Sequence, residues 1–293
     1  MKQLKIKAMA KVNLGLDVLR RRENGYHEVK MVMQTVNIFD ELTVCETDGN
    51  DIVITTDAGE LPCNEDNLVY KAARLLSEAT GCRKGISIHL NKNIPIAAGM
   101  AGGSTDAAAT LLVMNELLKL NLTKEELAEI GVKIGADVPY CIYGGTYLSE
   151  GIGEILTKLP DAPECFVVVA KPGIGVSTKY VYENLHIETV VKHPDIDGMI
   201  EAIKAGSLKG VTDKMENVLE TVTIKKYPQI NTMKQCLLDN GAENALMSGS
   251  GPTVFGIFDN EETAKNALAE LEKTGLVKQG FVTTFAKETG VIE

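Results

Sequence analysis

From residue 91 to 109 the chain reads Asn-Lys-Asn-Ile-Pro-Ile-Ala-Ala-Gly-Met-Ala-Gly-Gly-Ser-Thr-Asp-Ala-Ala-Ala. Gly99, Gly102 and Gly103 with Ala97, Ala98 and Ala101 leave the backbone N–H groups of this stretch unobstructed. Ser104, Thr105 and Asp106 follow where a helical pattern begins. Such a loop can wrap phosphate oxygens while the helix N-terminus adds its positive dipole end. Taken alone, the same residues would also suit a tight turn with an N-capping serine. The common phosphate loops do not fit. No Gly-Lys-Ser/Thr occurs, the dinucleotide glycine spacing is wrong, and His-Arg-Asp and Asp-Phe-Gly are absent.

Two other stretches carry chemistry. In Gly135-Ala136-Asp137-Val138-Pro139 a carboxylate follows a capped helix, and the Val-Pro step restricts the backbone after it. On its own an Asp after a helix-ending Gly is more often a turn former, with a held, proton-accepting carboxylate as the alternative. In Gly25-Tyr26-His27 an aromatic face could stack on a base while the imidazole bonds its edge.

The elements that must hold these residues show in the periodicity. Leu4, Ile6 and Ala8 alternate with Lys5 and Lys7 as a half-buried strand, and strand patterns recur at 41–45, 51–55 and 86–90. The last of these leads into the glycine-rich loop, and a helical pattern follows over 107–120. Thr123 and Glu126 make a capping box before Leu127, Ile130 and Ile134, with Gly135 where a C-terminal cap belongs. Gly151, Gly153 and the prolines at 160 and 163 predict a domain boundary near residue 158. Beyond it the pattern predicts a strand at 166–171, a helix at 178–185, and helices around 197–205, 212–222 and 229–239. A strand near Ala245, a strand at 253–258, a helix at 261–273 and a last strand at 281–286 complete it. Strands and helices alternate without strict βαβ regularity, which predicts an α+β architecture.

A length of 293 residues suits two domains. Lys+Arg total 30 against Asp+Glu 40, a net charge of −10, which argues against a chain held on nucleic acid by bulk charge. No apolar run approaches the roughly 18 residues of a membrane span. Lys2, Lys5, Lys7 and Lys11 break up the first apolar stretch, so the expectation is a cytoplasmic protein without a signal peptide. The six cysteines stand singly with no zinc-ligand spacing, and His89, His186 and His193 show none either, so reduced thiols and structural or solvent-exposed histidines are expected. No obligate protein partner is evident.

Taken together, the blocks resemble a known family. Pro95-Ile96-Ala97-Ala98-Gly99-Met100-Ala101-Gly102-Gly103-Ser104-Thr105 resembles the ATP loop of the GHMP kinases, small-molecule kinases with their own nucleotide fold. Ala10 to Leu16 resembles their first motif, and Ser248-Gly249-Ser250-Gly251-Pro252-Thr253-Val254-Phe255 their C-terminal glycine motif. Ala101, Thr105 and Asp106 depart from the frequent Gly, Ser and Asn but keep small size and hydrogen-bonding capacity. Lys11-Val12-Asn13-Leu14, Gly25-Tyr26-His27 and Gly135 to Pro139 narrow the resemblance. They match the branch that phosphorylates the 2-hydroxyl of 4-diphosphocytidyl-2-C-methyl-D-erythritol, in the non-mevalonate route to isoprenoid precursors.

That resemblance implies a two-domain GHMP kinase fold: an ATP-binding domain over 1–158 with a left-handed βαβ crossover, and a ferredoxin-like domain over 159–293. It implies Asp137 as catalytic base with Lys11 as its partner. ATP would lie in the loop with Asn67 and Lys92 at the adenine, and Asn13, Tyr26, His27, Thr178 and Tyr182 would hold the cytidine substrate. Asn67 could instead cap a helix beginning at Leu68. Mg²⁺ would accompany ATP, with Ser104 or no side chain as ligand. Two alternatives stay open: a homoserine- or mevalonate-type kinase, which needs no aromatic pair for a base, and a silent ATP-binding sensor, which needs neither Lys11 nor Asp137.

Overall fold

The structure is a computed structural model and describes residues 2–23 and 25–292. The opening alternation runs on as β1 (Gln3–Arg21), and every residue from 8 to 18 is buried. Apolar clusters lie on both faces of this strand: Ile6, Ala8, Leu16 and Val18 join one, Ala10, Val12 and Leu14 the other. Lys11, Asn13 and Asp17 are therefore polar groups inside a central strand, and burial on that scale requires partners for each.

β2 (His27–Thr47) pairs antiparallel with β1, with register shifts on either side of Lys11 and Asn13. Such bulges re-aim side chains at a sheet's working end. β3 (Ile52–Thr56), α1 (Leu68–Thr80) and β4 (Gly85–Asn91) form a βαβ unit, with β3 parallel to β4 and β4 antiparallel to the second half of β2. α2 (Gly102–Leu117), α3 (Lys124–Gly131) and α4 (Val138–Tyr143) follow. β5 (Thr146–Gly151) then pairs with the first half of β2, and β6 (Ile155–Lys158) pairs with β5.

The second domain contains β7 (Phe166–Pro172), α5 (Thr178–Glu183), α6 (Ile196–Lys204), α7 (Leu208–Thr212), α8 (Glu220–Lys226) and α9 (Gln229–Asp239). β8 (Asn244–Met247), β9 (Val254–Phe258), α10 (Glu261–Lys273) and β10 (Val277–Thr284) complete it. Its four strands run in the order β10-β7-β9-β8, all antiparallel, which is the ferredoxin-like order. The chain then returns, and β11 (Val291–Ile292) pairs with β1. Among the described residues no helix is long and apolar enough to cross a membrane.

Four sequence expectations need correction. The helix expected at 107–120 begins at Gly102 and ends at Leu117, taking in the glycines. The capping box of α3 is present, but the helix stops at Gly131, capped by Val132 rather than Gly135. The pattern at 212–222 is not one helix: α7 ends at Thr212 and α8 starts at Glu220. Between them the chain pairs with β1 through Leu16, whose N–H donates to the Glu216 carbonyl (2.9 Å) and whose carbonyl accepts from Val218 (3.0 Å). Met215, Val218 and Leu219 look helical in sequence because all three are buried. The last strand expected at 281–286 spans Val277–Thr284 instead.

One polar junction fixes α4, the helix after Asp137, to the sheet. The buried Tyr140 hydroxyl donates to the Gly145 carbonyl (2.8 Å) and lies 2.9 Å from Thr35 Oγ1, which accepts from the Gly145 N–H (2.9 Å). The Thr35 hydroxyl must then donate to the tyrosine oxygen, so every proton is assigned. Tyr140→Phe strands that donor in the core. The expected cost is about 1–3 kcal/mol in urea unfolding, and a cost near zero would mean the junction adds nothing to stability.

Candidate active site

α2 starts without a side-chain cap: its N-cap is Ala101, in the left-handed conformation. The N–H groups of its first turn are thus left for a ligand, and Ser104 is no capping residue. Ala97 (φ 51°), Gly99 (φ 74°) and Ala101 (φ 57°) alternate left-handed along the loop. This alternation turns successive N–H groups toward one concavity, and the two alanines accept about 1–2 kcal/mol of backbone cost each to keep it. Three bonds hold the loop from behind. Lys11 N–H donates to the Met100 carbonyl (3.2 Å), Ser248 Oγ to the Gly99 carbonyl (2.9 Å), and Thr105 Oγ1 to the Met9 carbonyl (2.7 Å).

Not every loop residue faces a ligand. Ala98 and Met100 are buried in the core, and the Thr105 hydroxyl serves β1. Pro95, Ile96, Ala97, Gly102 and Gly103 line a cavity of about 200 Å³ together with Asn67 and Lys92. Asn67 caps α1, accepting from Val69 N–H (2.9 Å) and donating to the Pro62 carbonyl (2.7 Å), so its amide serves the fold at the cavity wall.

Lys92 is committed to the protein as well. Its ammonium bonds the carboxylates of Asp40 and Asp106, the latter at 2.8 Å. Asp40, fully buried, also accepts from the N–H groups of Asn93 (2.6 Å) and Ile94 (2.8 Å), which clamps the entry to the loop. Burial opposes the lysine's charge, yet Asp106 and Asp40 outweigh it and its pKa is raised. Two carboxylates share one ammonium in a buried site, and Asp106 Oδ1 has no hydrogen-bond partner among the described residues. Burial, resisted by Lys92 and aided by Asp40, pushes Asp106 well above the carboxylate range. Sequence reasoning missed Asp40 and the pairing of Asp106.

The candidate catalytic pair meets across the first domain. Lys11 Nζ lies 3.7 Å from Asp137 Oδ2 and donates to Asn13 Oδ1 at 2.8 Å. Lys11 is 7% exposed at its side chain and Asp137 32%, so the carboxylate is the member open to a substrate. Asp137 occupies the N-cap position of α4 without capping it, which leaves its oxygens to Lys11. The turn between β5 and β6 contributes a residue missed in the sequence. A Cβ on Gly153 (φ 121°) would stand 3.9 Å from Asp137 Oδ1 and 3.4 Å from Met31.

The domains also meet around the other predicted residues. His27 of β2 and Tyr182 of α5 have ring centroids 5.1 Å apart, tilted by 38°. Burial and then the Asp137 charge keep the Tyr182 phenol protonated, while burial and Arg21 lower the pKa of His27. Tyr26 is 59% exposed. Thr178 Oγ1 lies 2.8 Å from Ser250 Oγ, joining α5 to the glycine turn at 248–251. His193 pairs with Asp17 (2.8 Å) and His89 contacts Thr55, both in structural settings.

Comparison with known proteins places the chain in a family. Residues 67–145 match the family model described as GHMP kinases N terminal domain, and residues 199–276 that described as GHMP kinases C terminal. The fold is that of the GHMP kinases. The 4-diphosphocytidyl-2-C-methyl-D-erythritol kinase of Lachnoclostridium phytofermentans is 51% identical over 98% of this chain and 99% of its own length. That of Lachnospira eligens is 53% identical over 97% and 98%. A crystal structure of a 4-(cytidine 5'-diphospho)-2C-methyl-D-erythritol kinase superposes with a TM-score of 0.82 at 31% identity, covering 96% of this chain and 99% of that one. A homoserine kinase from Cytophaga hutchinsonii reaches the same TM-score at 22% identity, covering 100% and 98%, and shares the fold. Within the GHMP kinases, the chain belongs to the 4-diphosphocytidyl-2-C-methyl-D-erythritol kinase family.

The raised Asp106 pKa has a signed consequence. A carboxyl group that holds its proton more tightly folded than unfolded makes stability fall as pH rises through the window above the ordinary carboxylate range. Asp106→Asn keeps the shape and removes the titration. Urea unfolding at pH 5 and pH 8 should show wild type losing stability relative to the variant at the higher pH; parallel pH profiles would contradict the shared burial of the two carboxylates.

Proposed function

We propose that the chain is the ATP-dependent kinase that transfers the γ-phosphoryl group of ATP to the 2-hydroxyl of 4-diphosphocytidyl-2-C-methyl-D-erythritol, a step of the non-mevalonate route to isoprenoid precursors. The observation that carries the reading is near-full-length identity of about half to relatives of that name, in a chain that keeps Lys11 beside Asp137 at the foot of the glycine loop. The N–H groups of the loop and of the first turn of α2 take the phosphates, and the cavity walled by Asn67, Pro95 and Ile96 takes the base. Six unbridged thiols suit the cytoplasm, where ATP is abundant.

At the acceptor, Asp137 takes the proton of the 2-hydroxyl as that oxygen bonds to the γ-phosphorus. The bond from γ-phosphorus to the β,γ-bridging oxygen breaks, and its electron pair leaves with ADP. Lys11, held by Asn13 and Asp137, has a third N–H to offer the transferring group, and its charge offsets that which builds there. Asn13 orients the lysine and the sugar alcohol. Tyr26, His27 and Tyr182 receive the cytosine, and Thr178 the adjoining part of the substrate. Mg²⁺ would arrive with the nucleotide and neutralise phosphate charge. Ser104 or no side chain would hold it, with phosphates and water as its other ligands.

ADP release with the cytidine substrate, homoserine and mevalonate in parallel tests the reading. Turnover is expected with the cytidine substrate alone, and turnover with another acceptor or with none would overturn it. Asp137→Asn should lower kcat by about 10²–10⁴-fold with ATP affinity little changed; a kcat equal to wild type would remove Asp137 from the mechanism.

A further inference from the structure

Asn217 does not line the cavity, and its buried amide is bonded to neither the glycine loop nor the catalytic pair but to backbone elsewhere. Nδ2 donates to the carbonyls of Met247 and Gly249, both at 2.8 Å, and Oδ1 accepts from Leu219 N–H at 3.0 Å. The backbone around it is stitched to β1 through Leu16. β1 is also the strand of Lys11 and Asn13.

Following these bonds outward gives a closed circuit. From β1 they pass through Asn217 to Gly249, then from Ser248 Oγ to the Gly99 carbonyl, and from the neighbouring Met100 carbonyl back to Lys11 N–H. The turn at 248–251 is closed by its own bond from Gly251 N–H to the Ser248 carbonyl (2.9 Å), so it moves as a unit. Glu220 steadies the same region by accepting from Met247 N–H (2.8 Å). Every link in the circuit except Asn217 and Ser248 is backbone to backbone.

We propose that Asn217 is a positioning residue for phosphoryl transfer: it fixes the 248–251 turn to β1, and the turn in turn fixes the nucleotide loop at Gly99 relative to Lys11 and Asp137. This rests on the kinase reading above. The transfer step is sensitive to displacements of the reacting groups of an ångström or less, so loosening the circuit acts on the reaction more than on capture of the acceptor.

The test compares wild type, Asn217→Ser, Ser248→Ala and the double variant. Expected for each single variant is a kcat lower by about tenfold or more per folded enzyme, with the KM for the cytidine substrate within about threefold. The double variant should lose little more than the worse single one, because both break one circuit. Hydrogen exchange in the unliganded protein should speed at 248–253 and at the Lys11 amide together. A purely structural Asn217 would lower Tm but leave kcat per folded enzyme unchanged, and that result, or additive losses in the double variant, overturns the proposal. Should Asn217→Ser not fold, an unchanged kcat in Ser248→Ala overturns it as well. A wild type without turnover would overturn the kinase reading instead, and exchange at Lys11 would then decide the circuit.

Discussion

Between Gly99 and the Ser248 carbonyl there is no room for one more carbon: a Cβ on Gly99 would lie 2.2 Å from that oxygen. Two glycine turns from distant parts of the sequence press backbone to backbone there, and the rest of the site is arranged around that approach. The left-handed residues of the loop permit it, and the Ser248 hydroxyl makes it a bond rather than a clash. The glycine at 99 is therefore required twice, by its dihedral angle and by its neighbour. Since one turn belongs to each domain, their contact also sets the relation between the nucleotide loop and the ferredoxin-like sheet.

The second constraint is electrostatic. Phosphate chemistry wants cations, but a buried unpaired cation is costly. Lys92 is paired to two carboxylates beneath the cavity and serves to anchor the loop entry, whereas Lys11 is held more lightly, by an amide and by a carboxylate at 3.7 Å. That contrast separates a structural lysine from one able to engage a substrate. The bulges around Lys11 and Asn13 re-aim both polar side chains within a buried strand.

What could be read in the sequence was local. The loop showed through its small residues and α3 through its capping box, because each is dictated by neighbours a few positions away, whereas Asp137 alone reads more readily as a turn former and its role came from the family resemblance. The ferredoxin-like strand order follows from pairings between distant segments, which period-two alternation does not encode; it came from the family resemblance. Asp40 lay hidden for the same reason, since its lysine is 52 positions away, and Asn217 bonds carbonyls 30 and 32 positions on. The single helix expected at 212–222 shows the converse, where burial in an irregular segment happened to repeat at helical spacing. Asn67 was legible in position but not in role, because a cap and a ligand contact ask for the same side chain.

The most direct test of the central claim, that one rigid frame holds the nucleotide loop against the catalytic pair, is a crystal structure with a non-hydrolysable ATP analogue and the cytidine substrate bound together. The account requires the γ-phosphate on the N–H groups at the start of α2, the 2-hydroxyl between Asp137 and Lys11, and the Gly99 to Ser248 contact unchanged. A γ-phosphate bound elsewhere, or a loop that parts from the 248–251 turn to admit it, would contradict that account.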